Sequence, residues 1–123
     1  MNQKNHALAT RFAVNLVGAM LQRSSVDFFY GQSTKGEAVD FLVQNGTLPI
    51  SIKVRYVDDP RSVDTVWASW HKPATDTRLV IVTANGNTVL TDSETASMLM
   101  PDQQTSLSIL PPVANTEHEA MSA

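Results

Sequence analysis

The stretch AVDFLVQNGTLPISIKVRY, residues 38–56, decides the fold. It is a run of β-branched and aromatic residues interrupted once, at Asn45-Gly46. Asn-Gly is the strongest short hairpin signal, because both central positions of a type I′ turn need a positive φ. The stretch therefore predicts two antiparallel strands, Ala38 to Gln44 and Leu48 to Tyr56. With Asn45 and Gly46 as a two-residue loop, Gln44 pairs with Thr47, Asp40 with Ser51 and Ala38 with Lys53. Directly opposed residues share a face of the sheet. Asp40, Ser51 and Lys53 then form one polar cluster, which Arg55 continues along the strand. Val39, Phe41, Val43, Ile50, Ile52, Val54 and Tyr56 make the other face, which reads as core. Pro49 cannot donate to a ladder, so the second of these strands is expected to lack one bond or to start at an edge.

Upstream, Asn5 to Gln22 carries Leu8, Phe12, Leu16 and Met20 at intervals of four, with Ala9, Ala13, Val17 and Leu21 as the adjacent row. This predicts an amphipathic helix with a broad apolar face. Val26 to Tyr30 reads as a strand and Gly31 to Gly36 as a polar loop. Downstream, Asp58 or Asp59 can cap a second helix, with Pro60 in its first turn and Val63, Val66, Trp67 and Trp70 at helical spacing. Lys72 to Asp76 reads as a loop. Leu79 to Thr83 is a continuous apolar run, as expected of a buried strand, and Asn85-Gly86 can return it into Thr88 to Leu90. Ser93 to Leu99 suits a short helix stopped by Pro101, and Leu107 to Leu110 an extended segment. The expected architecture is α/β. A helix, three antiparallel strands, a helix and a strand form a mixed central sheet flanked by helices, with a right-handed crossover into the last strand.

A chain of 123 residues has room for one such domain, expected over residues 1–110, with a small, polar, disordered tail at 111–123. There is no cysteine, so neither a disulfide framework nor a thiolate site is possible. No apolar run approaches the ~20 residues that cross a bilayer. Residues 1–10 lack the order of a signal peptide, and a cytoplasmic location without membrane contact is expected. Residues 1–91 hold all nine Lys and Arg against seven acids, whereas 92–123 hold five acids and no Lys or Arg. So slight a basic excess in the body does not announce nucleic-acid binding, which ordinarily needs a clustered positive patch.

The hairpin, read from Gly36-Glu37-Ala38-Val39-Asp40-Phe41-Leu42-Val43 through Leu48-Pro49-Ile50-Ser51-Ile52-Lys53-Val54, resembles the core of the PD-(D/E)XK nuclease superfamily. It is most similar to the nuclease-like domain of unknown function at the carboxyl end of many bacterial and archaeal AAA-type ATPases. The resemblance covers roughly residues 7–86 and includes the order of elements. It implies Asp40 as the first metal ligand and Lys53 as the lysine of a Glu-x-Lys pair. In such a site two carboxylates hold Mg²⁺ against the scissile phosphate, and the lysine stabilises charge or helps activate water. The departure falls at the second carboxylate, where this chain has Ser51, a poor ligand for a hard cation. Phe12 to Met20, where a further glutamate often stands, contains no acid. Glu37 is the one local candidate to join Asp40 on a metal, although a regular strand would point it to the opposite face.

The resemblance thus leads to a non-catalytic, nuclease-like module, acting through protein contacts or weak nucleic-acid contacts as part or relative of an AAA-type ATPase. Asp40, Lys53 and a vestigial Ser51 mark the old site, with no cofactor expected, or Mg²⁺ if the site works. A nuclease with a relocated carboxylate is the enzymatic alternative. Self-association through the second helix and its tryptophans is the structural one. His6, His71 and His118 lack metal-ligand spacing, Gly31 to Gly36 lacks the Gly-Lys-Ser/Thr ending of a P-loop, and no Ser/His/Asp triad can be assembled. Trp67 and Trp70 read as core or interface. Arg55, Arg61, Lys72 and Arg78 are candidates to share a surface with Lys53.

Overall fold

The structure, a computed structural model, describes residues 3–32, 38–45, 48–70, 77–83 and 87–111. The expected loops at Lys72 to Asp76 and Asn85-Gly86, and the tail from residue 112, lie outside the described residues. Helix α1 (Gln3–Arg23) leads into strands β1 (Phe28–Gln32), β2 (Ala38–Asn45) and β3 (Leu48–Val57). A 3-10 turn (Pro60–Ser62) then enters α2 (Val63–Ser69), followed by β4 (Thr77–Thr83), β5 (Thr88–Thr91), α3 (Ser93–Ala96) and β6 (Ser106–Ile109).

The six strands form one mixed sheet in the order β1-β2-β3-β4-β5-β6. β1, β2 and β3 are antiparallel, β4 is parallel to β3, β5 is antiparallel to β4, and β6 is parallel to β5. The α/β class and mixed sheet expected from the sequence are both present. The sheet also extends past the fourth strand, since the hairpin into β5 and the segment at β6 both pair. Each parallel pair needs a crossover, supplied by α2 between β3 and β4 and by α3 between β5 and β6. Those two crossovers start from strands of opposite direction. Right-handed connections therefore send them to opposite faces.

Burial follows this division. Val54, Val80, Val82 and Val89 form one core cluster with Ala13, Val17, Met20 and Leu21 of α1 and with Met98 and Leu99 after α3. Val57, Leu79 and Ile81 form a second with Val63 and Trp67 of α2 and with Leu110. β4 supplies both clusters from alternate residues, and all of it but Arg78 is buried, which explains its unbroken apolar sequence. Each fully buried aliphatic side chain is worth roughly 1.5–3 kcal/mol of transfer free energy.

The helix ends are tied by side chains. Asp59 accepts the Arg61 N–H and starts the 3-10 turn. The Arg61 side chain and this backbone bond hold the Asp59 carboxyl below its ordinary value. Asp92 caps α3 by accepting the Thr95 N–H at 2.7 Å. At the end of α1, Ser25 takes a left-handed conformation (φ 61°). The last carbonyls of α1 accept from the chain that follows, Met20 O from Ser24 N–H, Gln22 O from Ser25 N–H and Leu21 O from Val26 N–H, and residues 98–100 tie onto the same end. Met100 N–H donates to Met20 O, and Arg23 and the Ser24 hydroxyl donate to Met100 O and Met98 O.

The row Leu8–Phe12–Leu16–Met20 is not buried along its length, contrary to the sequence expectation. Leu8 and Phe12 are 56% and 53% exposed, Leu16 is half-buried and Met20 is fully buried. Four residues make about 400° of helix, so such a row drifts by about 40° per step and rotates from solvent into the core. The adjacent row, ending in Ala13, Val17 and Leu21, carries the contact instead.

The chain beyond β6 closes over α2. Leu110 is buried in the second cluster, and the Trp67 indole N–H donates to Pro111 O at 2.7 Å. Trp67→Phe should cost about 1 kcal/mol through the lost hydrogen bond, and Leu110→Ala roughly 2–3 kcal/mol through cavity formation. Urea denaturation followed by circular dichroism would check both.

Candidate functional site

The site is built where β2 leaves its neighbours. Against β1, β2 pairs Phe41 with Tyr30 and then Val39 with Gly31, so Asp40 is an extra residue with no partner across the ladder. That is a β-bulge, a device that re-aims a side chain. Against β3, the regular register runs from Asn45 opposite Leu48 to Phe41 opposite Ile52. Gln44 spends its N–H on Asp27 O, on the β1 side. By alternation Phe41, Val43 and Asn45 turn their backbone groups toward β3, where Ile52, Ile50 and Leu48 meet them. Val54 is next in that series, and its regular partner would be Val39. The bulge removes that partner, and the Asp40 carboxylate takes its place. Val54 N–H donates to Asp40 Oδ2 at 2.7 Å.

Lys53 Nζ lies 3.8 Å from the same Oδ2, as an ion pair without a direct hydrogen bond. The lysine side chain is 38% exposed and the aspartate 19%, so water screens the pair and it contributes at most about 1 kcal/mol. The charge-assisted backbone bond is the stronger tie, on the order of 1.5–3 kcal/mol.

The hairpin register differs from the one expected. Leu42, not Asp40, stands opposite Ser51, and continuing the observed ladder brings Asp40 opposite Lys53. Asn45 remains in the strand and pairs with Leu48. The physical gain is a cross-strand pair of opposite charge. A displacement of two positions conserves every side chain's face, so Asp40, Ser51 and Lys53 do share one face as expected. Ser51 is buried, with Leu42 on one side and Thr77 of β4 on the other. Thr77 is the residue sequence reasoning missed. Its hydroxyl is buried without a hydrogen-bond partner among the described residues. Its β-branched side chain was the available signal, masked by the charged Arg78 beside it.

Among the described residues the wider basic surface is not assembled. Arg55 is exposed on the Lys53 face. Arg61 is paired with Asp59 at 3.1 Å. Arg78 pairs with Ile52 in register, on the α1 face, and is bound to Glu94 of α3. Lys72, Glu37, His71 and His118 lie outside the described residues, as does the side chain of His6. Trp67 is buried against the sheet, so it serves the core rather than a surface.

Magnesium asks for near-octahedral oxygen ligation, usually with one or two carboxylates. The described residues bring one carboxylate, one of whose oxygens already receives an N–H and faces an ammonium, and the buried hydroxyls of Ser51 and Thr77. They do not fit the ion, and no group of three or more His, Asp or Glu among the described residues could hold one. No family model, no curated protein and no solved structure matches the chain.

This geometry makes Asp40 a backbone residue before anything else. Asp40→Ala should destabilise the protein by about 2 kcal/mol or more, because it strands the Val54 N–H. Asp40→Asn keeps an acceptor oxygen and should cost less. Lys53→Met should change stability by under about 1 kcal/mol. Equilibrium unfolding in urea, with unchanged m-values, would order the three.

Proposed function

We propose that the chain is a non-catalytic module on a restriction-nuclease-like core, a part or relative of an AAA-type ATPase, which acts through protein contacts. One observation carries this reading: the Asp40 carboxylate, the residue at the first-ligand position of the resemblance, is bound to the Val54 backbone N–H at 2.7 Å. An oxygen held in the ladder in this way is poorly placed to serve a metal. Ser51 at the second-ligand position supports the same conclusion, since a buried hydroxyl cannot supply the missing charge. The order of α1, three antiparallel strands, α2 and a strand parallel to the third is compatible with that core.

Weak nucleic-acid contact is a minor part of the reading. Lys53 and Arg55 are the described cations on the Asp40 face, and Lys53 is already paired. Two charges give a shallow salt dependence and little affinity.

Calorimetric titration with Mg²⁺ and Mn²⁺, on the native chain and on Asp40→Ala, tests the proposal when plasmid cleavage is assayed in parallel. The expected result is no cutting and no metal binding that depends on Asp40. Metal binding lost in Asp40→Ala, together with cutting by the native chain, would overturn it. The protein would then be a nuclease whose second carboxylate has moved, with Glu37 the first residue to replace.

A further inference from the structure

β1 is an outer strand of the sheet, and one of its edges is free of partners among the described residues. Asp27 O receives the Gln44 N–H, so by alternation Phe29 faces β2, while Phe28 and Tyr30 turn their N–H and C=O groups outward. Natural edges are ordinarily blunted by lysine, proline or a short outer bulge. β1 carries no lysine or proline, and the bulge beside it belongs to β2. Phe29 and Tyr30 are 62% and 69% exposed, on opposite faces of this edge. Between the edge and α1 lies a groove of about 490 Å³, lined among others by Asn15, Gly18, Ala19, Gln22, Asp27 and Tyr30.

We infer that β1 accepts an extended peptide of a partner protein as an added antiparallel strand, with a lysine or arginine of that peptide in the groove beside Asp27. Backbone bonds to Phe28 and Tyr30 hold the strand, and alternate side chains enter the groove or lie over Phe29. Charge chooses the occupant. Asp27 is exposed and is the one charged side chain among the described residues that line the groove. A second copy of the chain would bring its own β1, and residues 26–32 contain no Lys or Arg but a second Asp27. Residues 112–123 of the same chain contain Glu117 and Glu119 and no Lys or Arg. Neither of those offers a lysine or arginine to Asp27. A basic peptide sets cation against carboxylate. The inference does not depend on the Asp40 cluster, which lies between β2 and β3.

The full chain is titrated with a blocked peptide of alternating valine and lysine and with its valine–glutamate counterpart. Backbone amide shifts and hydrogen exchange are followed by NMR. The lysine peptide should bind saturably, protect the Phe28 and Tyr30 amides, and bind about threefold to fivefold tighter than the glutamate peptide, the effect of one exposed ion pair. Asp27→Asn should remove that preference without abolishing binding, and N-methylation of alternate peptide amides should abolish it. Absence of saturable binding, equal binding of both peptides, or protection confined to other elements would overturn the inference. So would a concentration-dependent dimer of the free chain that protects Phe28 and Tyr30, which would give the edge to a second copy.

Discussion

The parallel pairing of β3 with β4 is the constraint on which the rest of the structure depends. A parallel pair cannot be closed by a tight turn, so the chain between them must cross a face of the sheet, and α2 does so. β4 then lies inside the sheet, with apolar side chains on both faces, and each face must be covered. α1 covers one, with the segment after α3 locked against its last turn. α2 covers the other and is itself held by Leu110 and by Pro111 O. The seven-residue α2 is too short to be a stable helix by itself, and packing supplies what length does not.

Asp40 sits at the margin of this arrangement. A carboxylate that substitutes for a missing strand carbonyl is a polar solution to a backbone problem. The bulge leaves a donor on β3 without its regular partner, and an unpaired buried donor is costly. A residue type that a metal site would also choose is here committed to the ladder. The adjacent Lys53 neutralises part of its charge and Ser51 adds none, which leaves a local polar cluster with little capacity for a further cation.

Much of the fold was legible because strand and helix periods differ. Alternation in residues 41–56 assigned the two faces of β2 and β3 correctly, whereas Val39, beyond the bulge, joins neither core cluster. The unbroken apolar run at Leu79 to Thr83 marked the strand buried on both sides. The register was not legible. Pairing Asn45 with Leu48 or Gln44 with Thr47 leaves the same face parity, and only the charge opposite Asp40 separates them. The bulge at Asp40 depends on β1 as well as β3, so no local pattern encodes it. The exposure of Leu8 and Phe12 comes from the drift of an i, i+4 row, which a helical repeat by itself does not weigh against the extent of the surface below. Of the candidate site, the identity and shared face of Asp40, Ser51 and Lys53 could be read from the sequence. The use of the Asp40 oxygen by Val54, and the buried hydroxyl of Thr77, required three strands in space.

The sheet's strand order is the chain's own order. No strand has to be inserted between two that are already paired, and none waits for a distant partner to be made. Each new strand adds at the growing margin beside the one synthesised just before it, which keeps loop-closure entropy low for every step. A ribosome releasing this chain from its amino end would therefore present a template at each stage, with β6 laid down after the other five strands and the closure of Leu110 and Pro111 over α2 following it.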